Sequence, residues 1–81
     1  MRIVVRFFAS TRDETGTSAT ILELPEQATG KELWDALVKE FPSLAPYRNQ
    51  CRLAVNDTYV PDSTQLQEGD TVCLIPPVSG G

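Results

Sequence analysis

Between Arg2 and Ala9 the side chains alternate, with Ile3, Val5 and Phe7 to one side and Val4, Arg6 and Phe8 to the other. That two-residue period predicts a strand with apolar residues on both faces. Ser10–Gly16 breaks the alternation: Ser10 is a possible cap, acids follow it, and Gly16 is a stop, so the stretch reads as one short helical turn or a loop. Alternation returns from Thr17 to Leu24, with Thr20, Leu22 and Leu24 in phase and Pro25 closing the run. Two strands joined this closely predict an antiparallel hairpin with a wide turn.

The period then changes. Thr29-Gly-Lys-Glu32 has the form of a capping box, in which the Thr29 hydroxyl accepts the Glu32 backbone N–H and the Glu32 side chain reaches back. Leu33, Trp34, Leu37, Val38 and Phe41 follow at spacings of three and four, so one apolar face runs along a helix that Pro42 ends. On this spacing Trp34 and Phe41 are core residues rather than ligand contacts. Pro42–Gln50 reads as an irregular connection tacked down by Leu44 and Tyr47. Strand patterning resumes over Cys51–Val55, turns at Asn56-Asp57, and returns over Thr58–Val60 before Pro61. Leu66 is a lone core anchor, Glu68-Gly-Asp70 is a turn, and Thr71–Ile75 is a last strand in which Val72 and Leu74 alternate with Cys73 and Ile75.

Strand, strand, helix, strand, short strand, strand is an α+β order, with one main helix packed on one face of a mixed sheet. It is the order of the β-grasp arrangement, in which the first and last strands lie side by side. On that arrangement Val4 and Phe8 share the helix-free face with Cys73 and Ile75. Residues 1–81 are expected to form a single domain, with 76–81 protruding as a tail.

Composition narrows the function classes. Eighty-one residues, 41% hydrophobic and 22% charged, are ordinary for one globular unit. No apolar run is long enough to span a bilayer and no secretory leader is expected, so a cytoplasmic protein without a membrane partner is anticipated. A net charge of −4 argues against nucleic acid and modestly favours partners with basic docking faces. Histidine is absent and Cys51 and Cys73 stand far apart, so no metal site and no catalytic constellation is read in the sequence. The pairs Asp13-Glu14 and Glu68/Asp70 sit in turn sequences and read as solvated carboxylates.

The distinctive stretch that remains is Pro76-Pro77-Val78-Ser79-Gly80-Gly81. Pro76 and Pro77 have no backbone N–H and fix φ, which stops ladder pairing and directs the chain outward. Five residues beyond Pro76 reach roughly 17 Å, enough to carry Gly81 into a partner's active site while the domain stays outside. Val78 is a candidate anchor along such a channel, and Ser79, Gly80 and Gly81 keep the arm thin enough for narrow sites.

The ending, with Phe7-Phe8-Ala9, Arg12, Gly16, Leu53-Ala54-Val55-Asn56 and Glu68-Gly-Asp70, resembles the small-subunit family of molybdopterin synthase among the ubiquitin-like β-grasp sulfur carriers. The resemblance covers essentially the whole chain. Ile75 stands where that family commonly has an aromatic residue. The resemblance implies a C-terminal Gly81 adenylated by a ubiquitin-activating-like adenylyltransferase using ATP, then converted by a sulfur donor protein to a thiocarboxylate. It also implies delivery of that sulfur to cyclic pyranopterin monophosphate in the large synthase subunit, within a heterotetramer, with no cofactor held by this chain. Gly81 is then the reacting residue, and Val78, Ser79 and Gly80 are the arm in the partner's active site. Phe8, Ile75, Pro76 and Pro77 are the docking residues. Two readings stay open beside it: a related sulfur carrier or modifier of the thiamine or tRNA-thiolation type, and a passive β-grasp binding module. A persulfide carried on Cys51 or Cys73 is a third route.

Overall fold

The structure is a computed structural model and describes residues 1–77. Its order is β1 (Arg2–Phe7), α1 (Ala9–Thr15), β2 (Ala19–Glu23), α2 (Gly30–Glu40), a 3₁₀ helix (Pro42–Tyr47), β3 (Arg52–Val55), β4 (Thr58–Val60) and β5 (Thr71–Ile75). The strands form one mixed sheet in the order β2-β1-β5-β3-β4. β1 and β5 pair in parallel at its centre, and the other contacts are antiparallel. This is the ubiquitin-like β-grasp.

Alternation decides what the sheet buries. Ile3, Val5 and Phe7 of β1, Val72 and Leu74 of β5 and Leu53 of β3 point to one side and meet Leu33, Trp34 and Leu37 of α2, all essentially inaccessible. Each such side chain, fully buried, contributes about 1.5–3 kcal/mol. Phe7 and the half-buried Phe41 meet edge to face, with centroids 5.5 Å apart and planes at 80°. The capping box of α2 closes: the Thr29 backbone N–H donates to Glu32 Oε1 at 3.0 Å, and Thr29 Oγ1 accepts the Lys31 N–H at 3.3 Å.

Two connections differ from the sequence reading. Pro42–Tyr47 is an ordered 3₁₀ helix rather than an irregular stretch, with Leu44 fully buried. Arg48, just beyond it, ties it to α2 through Asp35 Oδ1 at 2.7 Å and the Lys31 carbonyl at 3.2 Å. The Arg48 guanidinium accordingly holds the Asp35 carboxyl below the ordinary carboxylate range. Ser10–Thr15 belongs to a seven-residue helix, α1, capped by Phe8 rather than Ser10.

The loop before β5 is fixed from both ends. Leu66 is buried, its N–H donates to the Ala28 carbonyl at 2.8 Å, and Thr29 bridges Gln65. At the far end Asn56 Nδ2 donates to Asp70 Oδ1 at 2.9 Å and Asn56 Oδ1 accepts the Thr71 N–H at 3.1 Å. Asn56 and Asp57 both take positive φ, 48° and 72°, a conformation that short polar side chains tolerate in a hairpin turn. Asn56 and Asp70 thus form a clasp between the β3–β4 turn and the start of β5, while the Glu68 carboxylate accepts the Arg2 backbone N–H and the Gly69 N–H donates to the Arg2 carbonyl, tying the same turn to β1.

Candidate functional site

Among the described residues, no element covers the face of the sheet opposite α2. Because registered partners share a face, Arg6 lies beside Cys73, Cys73 beside Ala54, and Ile75 beside Arg52. Val4 is flanked by Ile21 and Thr71, and Ala54 by Tyr59. The open face is therefore an apolar strip of Val4, Phe8, Cys73, Ile75 and Ala54. Two large apolar side chains stand out from it, Ile21 at 58% exposed and Tyr59 at 52%.

Phe8 is held there by backbone rather than by packing alone. Thr11, fully buried, has its hydroxyl between the two backbone groups of Phe8: Oγ1 accepts the Phe8 N–H at 3.0 Å and donates to the Phe8 carbonyl at 2.7 Å. Phe8 stays extended at φ −134°, ψ 149°, which keeps its ring on the open face, and Ala9 then turns sharply at φ +49°. A left-handed alanine costs about 1 kcal/mol, so the surrounding contacts hold this corner against local preference.

β5 runs parallel to β1, so its end at Ile75 lies at the same end of the sheet as Phe8. Pro76 is half-buried and Pro77 exposed. The ladder's last registered pair is Arg52 with Ile75, and neither proline could extend it. Phe8 and Ile75 are therefore brought to one end of the open face, and Pro76 and Pro77 follow directly from that end of the sheet. Val78, Ser79, Gly80 and Gly81 lie outside the described residues.

Sequence reading missed two partners of this end. The Arg52 guanidinium lies 4.0 Å from the Tyr59 ring centroid, and that of Arg6 lies 5.3 Å from the Phe8 ring. Both are cation–π contacts. The Arg6–Phe8 contact could have been read from their spacing of two in a strand, whereas Arg52–Tyr59 depends on the β3–β4 register. Beside Arg52 a shallow cleft of about 400 Å³ is lined by Cys51, Leu53, Tyr59, Val60, Pro61 and Asp62.

Cys51, on the cleft wall, is a poor sulfur nucleophile. Burial pushes its thiol up from 9.0 to about 11. At pH 8 only about one molecule in a thousand carries the thiolate, so iodoacetamide should label Cys51 slowly, with a rate rising about tenfold per pH unit towards pH 11. Intact-mass timing on a Cys73→Ser variant, which leaves Cys51 as the one thiol, checks this, and labelling at the speed of an unburied thiol at pH 8 would contradict it. Because burial favours the protonated form, its contribution to stability is intact below pH 9 and fades as the pH rises through about 11. Among the described residues no group of three or more His, Cys, Asp or Glu is placed to hold a metal ion, and no helix is long and apolar enough to cross a membrane.

Residues 5–81 match the model of the ThiS family. The molybdopterin synthase sulfur carrier subunit of Arabidopsis thaliana is 40% identical over 81 residues, covering 100% of this chain and 84% of that protein. The subunit of the same name from Homo sapiens is 35% identical over 83 aligned positions, covering 99% and 94%. Among solved structures, a chain of the protein–protein complex of subunits 1 and 2 of molybdopterin-converting factor from Helicobacter pylori is 30% identical. It covers 100% of both chains, with a TM-score of 0.72.

Proposed function

The chain belongs to the ThiS family and, within it, to the sulfur carrier subunits of molybdopterin synthase, and from that membership we propose that its working group is the carboxylate of Gly81. The observation that carries this reading is 35–40% identity to those subunits across essentially the whole of this chain, which includes the segment Pro-Pro-Val-Ser-Gly-Gly. A carboxylate is ionised at neutral pH and is a poor electrophile. In an adenylating partner of the ubiquitin-activating type, a Gly81 oxygen attacks the α-phosphorus of ATP and pyrophosphate leaves. A donor protein delivering sulfur at the sulfide level then displaces AMP, and the product is a thiocarboxylate.

Its sulfur is the nucleophile in the large subunit. There it attacks a side-chain carbon of cyclic pyranopterin monophosphate, a C–S bond replacing a C–O bond whose oxygen leaves, and water then cleaves the acyl–sulfur bond and restores the carboxylate. Two deliveries build a dithiolene. Val78, Ser79 and Gly80 thread the partner's active site, while Phe8, Ile75, Pro76 and Pro77 hold the domain at its mouth. A heterotetramer of two carriers and two large subunits in the cytoplasm completes the reading.

This chemistry is tested by incubating the intact chain with the activating enzyme, ATP and a sulfur source. The expected product is heavier by the difference between one sulfur and one oxygen, and it reverts on incubation with the large subunit and pterin substrate. Conjugates to lysine in place of that product would move the chain to the protein modifiers. No mass change at all would leave only a passive binding module.

A further inference from the structure

The total charge of −4 conceals how charge is distributed on the sheet. Among the described residues, the strand side chains of the open face include three arginines, Arg2, Arg6 and Arg52, and one acid, Glu23. Glu23 is on β2 and faces Arg2 at 3.4 Å. Arg6 and Arg52 form no ion pair among the described residues, although both are exposed. Each guanidinium lies against an aromatic ring, on Phe8 and on Tyr59. Stacking takes up the flat face of a guanidinium and leaves its rim of N–H donors free, which limits rotation and presents the fork to a planar acceptor.

Resting on the carrier reading, we propose that Arg6 and Arg52 are paired carboxylate receptors on either side of the Phe8–Cys73–Ile75 strip, so that the docking partner is a protein surface with an apolar ridge between two acidic side chains. Register fixes the spacing. Arg6 and Arg52 sit on strands separated by β5 and differ by two residues along it, which puts their backbones about 12 Å apart. That span matches carboxylates four residues apart on an extended segment or about eight apart along a helix. The partner face is thus acidic, contrary to what net charge alone favours. Two cations on a chain of net charge −4 also make a poor phosphate track, which disfavours single-stranded nucleic acid despite the exposed rings.

The test measures binding of the full chain to the large synthase subunit at about 50 and 300 mM salt, where screening lengths differ more than twofold. The double reversal R6E/R52E is expected to raise Kd by about 50-fold at low salt, chiefly through slower association, and to abolish the salt dependence of the parent. R52K, which keeps the charge but loses the stacked fork, is expected to weaken binding by about threefold to tenfold. Both arginines are exposed, and an unchanged melting temperature verifies that the variants fold. If R6E/R52E binds within threefold of the parent while Ile75→Glu abolishes binding, docking is apolar alone and the proposal falls, with the carrier reading untouched. Displacement of the large subunit by an equimolar single-stranded RNA would also overturn it. A parent chain that forms a thiocarboxylate yet never binds the large subunit overturns it together with the synthase assignment.

Discussion

Deleting Gly80 and Gly81 is expected to leave the domain folded and to abolish molybdopterin synthesis. The buried apolar cluster runs from Ile3 to Leu74, and the ladder ends at the Arg52–Ile75 pair. Gly80 and Gly81 lie five and six positions further on and add no apolar side chain. The melting temperature should therefore move by less than about 3 °C, the shift that roughly 0.5 kcal/mol produces in a domain of this size. The chemical effect has no such limit. The truncated chain ends on Ser79, whose carboxylate is two residues, about 7 Å, short of the reacting position and carries a side chain. Misplacement by far less than this forfeits the benefit of proximity, so turnover should drop at least about 10³-fold. Binding to the large subunit should survive with a modest loss, because Phe8, Ile75, Arg6 and Arg52 are retained. Synthesis at the parent rate by the truncated chain, measured with the same partners, would remove the carboxylate from the mechanism.

The second large effect concerns Gly30, the first residue of α2. A Cβ built there would stand 2.7 Å from the Asp62 carbonyl oxygen, 2.8 Å from Leu53 Cδ1 and 2.9 Å from Asp62 Cα. Helix propensity alone says that Gly30→Ala should stabilise by up to about 1 kcal/mol. Overpacking opposes it at about 1–3 kcal/mol or more, and two of the three neighbours are backbone atoms in a loop that Leu66 and Thr29 pin down. Overpacking wins. Gly30→Ala is expected to lower stability by about 2 kcal/mol, or about 8–16 °C in melting temperature. Part of the strain should reach the cleft, because Asp62 and Pro61 line it beside Tyr59. A rise in melting temperature for this variant would show that the loop yields freely and that α2 is not fixed by close approach.

The parts of this fold that could be read from the sequence are those whose signals are local and redundant. α2 combines a capping box, a three-and-four apolar spacing and a terminating proline, and the structure places it at Gly30–Glu40. The strands were readable because alternation survives any uncertainty about pairing. α1 was not, because its cap is a reciprocal arrangement between the Phe8 backbone and the Thr11 hydroxyl, and a phenylalanine carries no capping signal. The 3₁₀ helix hid behind Pro42 and Pro46, which break an α-helix but suit a short, tighter one. At the site, the shared face of Phe8 and Ile75 followed from placing the first and last strands together. The Arg52–Tyr59 stack did not, since it needs the register of a hairpin whose strands are four and three residues long. Net charge does not reveal the open face for a different reason: it is a sum, and the acids of α1, α2 and the turns outweigh arginines that the pleat gathers onto one surface.

The central place of β5 also orders events in time. It joins β1 on one side and β3 on the other, so without residues 71–75 the sheet divides into two separate hairpins, β2-β1 and β3-β4. Isolated hairpins are marginal in water, and the closing contact spans nearly the whole sequence, from Val4 to Thr71. A nascent or prematurely terminated chain that stops before residue 71 therefore cannot assemble the open face. A partner that recognises the assembled face is thereby spared encounters with chains that end before β5, which makes the topology a check on chain length up to residue 75.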